Sequence, residues 1–312
     1  MKIVFFGTSD FSAGILDLLK GLDHSIVAIV TRPDRPQGRN LKLKASPVKE
    51  FAEEFLPDVP LFQPEKASTE AFSDELKSFS SDLFIVVAYG EILKENILSI
   101  PSKAAINIHT SLLPKYRGAA PIQRCLMNGE PFSGVTFMEM VLKMDAGDIL
   151  KQEIVPIDPD INVEQLELAL LEASKKAIPE LLSRFDFYYA NKKSQDESLV
   201  TFAPKISSED CIPDWSRTAQ EIHNQIRALS PFPGVFVKVK FGSETKRVKI
   251  LSSKILGSSS EESGRLFMDR KTMKISCKNA LLELISIQVE GKKPMKVEDF
   301  LRGVSCQLSL ES

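Results

Sequence analysis

Two apolar patterns alternate along the first half of the chain. Lys2–Gly7, Ser25–Thr31, Leu83–Ala88 and Ala104–His109 are short, nearly unbroken apolar runs, as expected of strands buried on both faces. Val135–Val141 and Ile149–Ile157 read as further strands. Between these runs the spacing turns helical. Phe11, Ile15, Leu16, Leu18 and Leu19 form one face that stops at Gly21, and the same period recurs near 47–54, 69–79, 121–128 and 163–185. Strands alternating with helices predict an α/β domain with a doubly wound, mainly parallel sheet covered on both sides.

After Phe185 the pattern changes. Tyr189 to Ser198 is mostly polar and reads as the start of a linker, so a first domain is expected over 1–189, a linker over 190–206 and a second domain over 207–312. The second domain begins with a helical stretch at 218–229 and a break at Pro231, Pro233 and Gly234. Short β-like runs follow at 235–241, 248–252, 266–268, 273–277 and 281–289, the pattern of a small OB-like β-barrel.

With 43% hydrophobic and 26% charged residues in 312, the composition is that of an ordinary globular protein and excludes disorder, collagen or coiled coil as the main architecture. No apolar run approaches the roughly 20 residues that span a bilayer, and Met1–Gly7 is too short for a signal peptide. A cytoplasmic protein without a membrane partner is expected. Cys125, Cys211, Cys277 and Cys306 have no C-x-x-C spacing, and His24, His109 and His223 form no closely spaced pair, so no metal site is expected.

The net charge of −2 hides an asymmetry: residues 206–312 carry 17 Lys and Arg against 13 Asp and Glu. Within the acidic remainder, Arg32, Arg35, Arg39, Lys42, Lys44 and Lys49 oppose Asp34 alone. Pro33, Pro36, Gly38 and Pro47 in the same stretch suggest an exposed loop, neither strand nor helix, suited to a polyanion.

The turn after the first strand, Gly7-Thr8-Ser9-Asp10-Phe11-Ser12, lacks the G-x-G-x-x-G of a dinucleotide site, which disfavours nicotinamide chemistry. Candidate chemistry lies instead at Ala104–Pro114. Asn107 and His109 share one strand face while Ile106 and Ile108 take the other. Unpaired inside a covered sheet, such groups would cost a few kcal/mol each. At the carboxyl end of a strand they open onto the crevice where such sheets bind ligands. Met144-Asp145-Ala146-Gly147-Asp148, between two predicted strands, brings Asp145 to the same crevice if Gly147 allows a tight loop. Asn, His and Asp together stabilise an oxyanion, move a proton and orient an imidazole, and none is an obvious nucleophile. The set suits direct transfer of a one-carbon or acyl unit between two bound substrates. Each residue equally suits a structural role as a turn cap, a backbone-bound histidine or a loop acid.

Asn107-Ile108-His109-Thr110-Ser111-Leu112-Leu113-Pro114-Lys115-Tyr116-Arg117-Gly118-Ala119-Ala120-Pro121, followed by Met144–Asp148, resembles the signature of the folate-dependent formyltransferases. Pro33–Arg39, Ala88–Leu93, Arg227–Gly234 and Gly291–Met295 extend the resemblance over both domains. It implies a formyltransferase-like Rossmann variant with a small C-terminal barrel, and an enzyme that moves the formyl group of 10-formyltetrahydrofolate to the free amino group of methionyl initiator tRNA. In that reading Asn107 holds the formyl oxygen, His109 assists proton transfer and Asp145 orients it or acts through a water. Tyr89, Gly90, Ile92 and Leu93 line the folate pocket with Ser111, Leu112, Leu113 and Pro114, although Leu112 and Leu113 equally suit plain core. Arg39, Lys42 and Lys44 of the basic loop, with Arg117, contact the tRNA. The resemblance implies no metal and no obligate protein partner. Two departures stand out: Ser9-Asp10 occupies a position where many members have proline and glutamate, and Leu41 and Leu43 interrupt the basic loop.

Sugar-nucleotide formyltransferases share the chemistry but are not expected to carry the Pro33–Arg39 or Gly291–Met295 runs. Glycinamide ribonucleotide formyltransferase ends near the first domain. A non-catalytic RNA-binding module would bind tRNA without folate.

Overall fold

Lys2–Gly7 (β1) is buried beyond its first residue and lies between two parallel neighbours, as its unbroken apolar run requires. The computed structural model describes residues 1–37, 42–304 and 308–310. After β1 come α1 (Asp10–Lys20), β2 (Ser25–Val30), β3 (Arg35–Gln37), β4 (Lys42–Lys44), α2 (Pro47–Phe55), β5 (Leu61–Phe62), α3 (Glu70–Lys77), β6 (Leu83–Val87), α4 (Glu95–Leu98) and β7 (Ala104–His109). Then follow α5 (Pro121–Met127), β8 (Phe132–Glu139), β9 (Ile149–Pro156), α6 (Val163–Ser183) and α7 (Phe185–Ala190). The remainder holds α8 (Ala219–Leu229), β10 (Val235–Phe241), β11 (Glu244–Ser258), β12 (Leu266–Met268), β13 (Met273–Ser276), β14 (Ala280–Val289), β15 (Met295–Lys296), α9 (Val297–Arg302) and β16 (Leu308–Leu310).

The chain divides into two compact units, one of residues 1–118, 132–156 and 167–203, the other of 119–131, 157–166 and 204–312. In the first unit the sheet order is β5-β2-β1-β6-β7-β8-β9, parallel through β7 and antiparallel at β8 and β9. The 140–148 connection between β8 and β9 is too short for the crossover that parallel pairing demands. This is the expected doubly wound, mainly parallel fold. Ser9, Ser46 and Thr69 cap α1, α2 and α3 by accepting from the backbone three residues on, which starts each helix where the apolar period begins.

The basic stretch departs from the expected plain loop. β3 and β4 pair antiparallel, with Pro36 opposite Leu43. A two-stranded ribbon leaves outer edges free, so the missing N–H of Pro36 needs no partner.

In the second unit the antiparallel strands run β12-β13-β14-β11-β10-β16, with β15 beside β14, a barrel-like sheet as expected. β11 is much longer than the predicted 248–252 because register shifts at Ile250/Ser252, Ser252/Ser253 and Ile255/Ser258 break the alternation that marks a strand in sequence. A capping box of Thr218 and Glu221 opens α8, whose Ile222, Ile226 and Leu229 are buried. This unit is not contiguous in sequence: α5 packs on α8, and Arg124 on α5 grips Asp210 with two 2.7 Å bonds. Residues 190–203, read from composition as linker, are instead hydrogen-bonded into the first unit. Among the described residues no helix is long and apolar enough to cross a membrane.

Candidate active site

β7 is a central strand, with Asn107 paired to Val86 and Met138 and His109 paired to Thr136. Asn107 is half-buried although Ile106 and Ile108 beside it are buried, so solvent reaches the middle of the strand on one face. Its side-chain amide makes no hydrogen bond among the described residues. His109, two residues and about 6.6 Å further along that face, is 6% exposed. Its Nε2 lies 3.0 Å from the Tyr116 carbonyl oxygen. A carbonyl only accepts, so Nε2 carries the proton. Nδ1 then faces Asp145 Oδ2 at 3.8 Å. The same carboxylate oxygen accepts the Gly118 N–H at 2.8 Å.

The loops around this face hold strained backbone. Ala88 (φ 43°), Tyr116 (φ 63°) and Asp145 (φ 50°) are non-glycine residues in the left-handed region, a placement typical of functional sites. The freedom assigned to Gly147 from the sequence is therefore used by Asp145 itself. Gly147 is required for another reason: a Cβ there would lie 1.8 Å from the Glu139 carbonyl oxygen. Gly118 combines φ 127° with a place where a Cβ would lie 2.7 Å from the Ala203 carbonyl oxygen.

The residues expected to line a folate pocket divide. Tyr89, Leu93 and Leu113 are buried core; the Tyr89 ring meets Phe6 edge-on, its hydroxyl has no partner among the described residues, and burial pushes its pKa up. The Ser111 hydroxyl donates to the Lys115 carbonyl at 2.7 Å, and Leu112 lies over the backbone at Gly134. Pro114 is half-buried. Gly90 is exposed and Ile92 is 66% exposed. They follow the end of β6, whose Val86 pairs with Asn107, so an exposed glycine and an exposed apolar side chain come from the strand next to the half-buried amide. That combination fits a flat heterocycle carrying a polar edge.

Four residues, Thr8, Ser12, Thr136 and Gln152, carry no motif in the sequence, yet their polar side chains tie the backbone around the site. Thr136 donates to the Ser111 carbonyl and accepts from Leu113 N–H, and Gln152 donates to both Thr136 and the Leu113 carbonyl. Thr8 and Ser12, in the turn after β1, donate to the Tyr89 and Val87 carbonyls at 2.9 and 2.6 Å.

The basic stretch is partly neutralised by carboxylates from elsewhere in the chain. Arg35 pairs with Glu65 at 2.9 Å and Arg32 with Glu91 at 3.3 Å. Lys49 meets Asp34 at 2.8 Å and, with Gln63, holds that carboxyl below its usual range. Lys44 is exposed and, among the described residues, has no ion-pair partner. Arg39 and the side chain of Lys42 lie outside the described residues. Arg117 requires a correction. It is 2% exposed, with Nε and Nη2 donating to Gln195 Oε1 at 3.0 and 2.8 Å and Nη2 meeting Glu197 at 2.9 Å. A guanidinium so enclosed is not presented to a phosphate.

Residues 1–182 match the family described as Formyl transferase, and residues 205–305 match the Formyl transferase C-terminal domain. Methionyl-tRNA formyltransferase of Protochlamydia amoebophila (strain UWE25) is 44% identical over 306 residues, 98% of this chain and 96% of that one. The protein of the same name from Chlamydia muridarum (strain MoPn / Nigg) is 37% identical over 313 residues, 99% of this chain and 98% of the other. Among solved structures, the N-formyltransferase from Helicobacter canadensis in complex with folinic acid and dTDP-3-aminofucose superposes with a TM-score of 0.65 at 18% identity, covering 91% of this chain and 99% of that one.

Proposed function

The chain belongs to the formyl transferase family and is a formyl-transferring enzyme, and we propose that it carries the formyl group of 10-formyltetrahydrofolate to the α-amino group of methionyl initiator tRNA in the cytoplasm. The observation that carries this reading is the juxtaposition of His109 Nδ1 and the Asp145 carboxylate on the face that exposes the Asn107 amide, which has no hydrogen-bond partner among the described residues.

Each residue then has a distinct task. The Asn107 amide donates to the formyl oxygen as its carbon becomes tetrahedral, a point where a preorganised donor acts most strongly. With Nε2–H committed to Tyr116, Nδ1 is the nitrogen left to accept a proton from the attacking amine and return it to the departing folate nitrogen. Asp145 stabilises the imidazolium that forms between those steps. Its 3.8 Å separation is long for a direct bond, as catalytic contacts often are before substrate arrives. Ala88, Gly90 and Ile92 form the rim against which the folate ring rests. The exposed Lys44, with Arg39 and Lys42, contacts tRNA phosphates, and the basic second domain holds more of that backbone.

The test is incubation of the purified protein with methionyl initiator tRNA and 10-formyltetrahydrofolate, and in parallel with a dTDP-amino sugar and the same donor. Formyl-methionine released from the tRNA only when the folate is present supports the reading. Formylated sugar without formyl-methionine overturns it in favour of the sugar-nucleotide enzymes, whose resemblance at 18% identity extends to the fold alone.

A further inference from the structure

The polar segment after α7 is tied to the loops around Asp145 almost residue by residue. Lys193 exchanges two backbone hydrogen bonds with Ile149, at 2.8 and 2.9 Å, and Thr201 and Ala203 bond the backbone of Arg117 at 2.9 and 2.7 Å. Between these ties Gln195 uses its whole amide. Nε2 donates to the carbonyls of Asp145 and Gly147, both at 2.8 Å, while Oε1 accepts twice from Arg117. The residue so gripped is Asp145, whose φ of 50° lies in the left-handed region that few non-glycine residues adopt, aspartate being among those that do. The other end of the grip, Arg117, has a side chain 1% exposed.

We infer that Gln195 is a positioning residue for the reaction. It clamps the 145–147 loop so that the Asp145 carboxylate stays on the Gly118 N–H and in front of His109 Nδ1, and Arg117 is the buried post on which the clamp stands. The inference rests on the role given to Asp145 above. Only a carboxamide of this length serves both ends. Gln195→Glu keeps an acceptor for Arg117 but turns a carboxylate oxygen toward two carbonyl oxygens, and Gln195→Ala leaves both carbonyls without their donor.

The experiment is a double-mutant cycle on the full chain. Gln195→Ala, Gln195→Glu, Asp145→Asn and the double variant Gln195→Ala/Asp145→Asn are compared for kcat, for KM toward 10-formyltetrahydrofolate and for melting temperature. Both single Gln195 variants are expected to lower kcat on the order of 10²-fold, the effect of a misplacement near 1 Å, with KM for the folate changed less than about threefold. In the Asp145→Asn background the alanine change should add less than about threefold, because residues acting as a unit are not additive. An additive loss in the double variant, with Asp145→Asn itself impaired, removes the clamp and leaves Asp145 in place. Parental turnover in Asp145→Asn removes Asp145 from the mechanism and the clamp with it. A lower melting temperature with parental turnover in the Gln195 variants also overturns the inference, since packing alone would then explain the contacts.

Discussion

Truncating Asn107 to alanine separates chemistry from folding. Its amide makes no hydrogen bond among the described residues, and the backbone pairing with Val86 and Met138 survives the change. No buried partner is left unserved, so stability should change by less than about 1 kcal/mol. Turnover behaves differently. A donor that acts only when the formyl oxygen becomes negative contributes about 2.7–4 kcal/mol, so kcat should fall about 10²–10³-fold. His109→Ala provides the contrast. It removes the Nε2–H that the carbonyl of the 5% exposed Tyr116 accepts, and losing a buried hydrogen bond of this kind costs about 0.5–1.5 kcal/mol. Acid–base assistance lost with the imidazole lowers the rate by a further ~10²–10⁴-fold. Asn107→Ala should therefore lower kcat at an unchanged melting temperature, while His109→Ala lowers both. Single-turnover formylation at saturating 10-formyltetrahydrofolate, with thermal melts taken with and without the folate, measures each quantity. Parental turnover in Asn107→Ala, or a loss of folate affinity as large as the loss of rate, would refute the assignment of the amide to the oxyanion.

Three further outcomes are expected. Gly147→Ala places a Cβ against the Glu139 carbonyl oxygen, so the loop bearing Asp145 must move, and kcat should drop on the order of 10²-fold; unchanged kinetics would show that the loop position is immaterial. Arg124→Met removes the partner that, more than any other contact, holds the Asp210 carboxyl at about 2 instead of 3.8. With both side chains about four-fifths buried, that depression corresponds to roughly 2 kcal/mol of stability at 1.36 kcal/mol per pKa unit. It is present above pH 3.8 and lost as pH falls toward 2, so urea unfolding at pH 7 should show the loss and the variant should be flatter at low pH. Burial, reinforced by Arg227 and opposed by Asp160, holds the His223 imidazole below its usual 6.5. The unfolded chain then takes up the proton first, so stability is full above pH 6.5 and declines below it. His223→Gln should remove that part of the slope in urea titrations, and an unchanged slope would assign it elsewhere.

The fold was legible because its strands are apolar on both faces: Ile3 to Phe6, Leu83 to Val87 and Ala104 to Ile106 are buried throughout and read as strands without ambiguity. The candidate trio was legible for the opposite reason, since Asn107 and His109 interrupt such a run. What stayed hidden depends on approach between distant segments. Glu65 and Glu91 neutralise Arg35 and Arg32 from outside the basic stretch, so a local charge sum overstates the field that the stretch offers a phosphate. Gln195 sits in a run whose composition signals a linker, and nothing in its neighbours foretells that it bonds Arg117 and Asp145. Arg117, inside the signature, looked available only because sequence carries no measure of burial.

The polar contacts that orient His109 and Asp145 end on backbone atoms, at the Tyr116 carbonyl and the Gly118 N–H. Both come from the same loop after β7, and that loop is itself fixed by Thr201 and Ala203 through Tyr116 and Arg117. The imidazole and the carboxylate therefore cannot shift independently, and reorganisation during proton transfer is small because the dipoles that serve each group are part of the chain. Asn107 stands apart from this lattice, its amide bonded to none of the described residues. A donor held by no other protein group is free to turn to the formyl oxygen, and its hydrogen bond strengthens as that oxygen gains charge, which is the part that raises kcat. In the transfer proposed above, the two locked groups serve the proton path and the Asn107 amide serves the tetrahedral stage. The proton path must stay fixed across both halves of the reaction, while the oxyanion donor acts only at the tetrahedral stage between them.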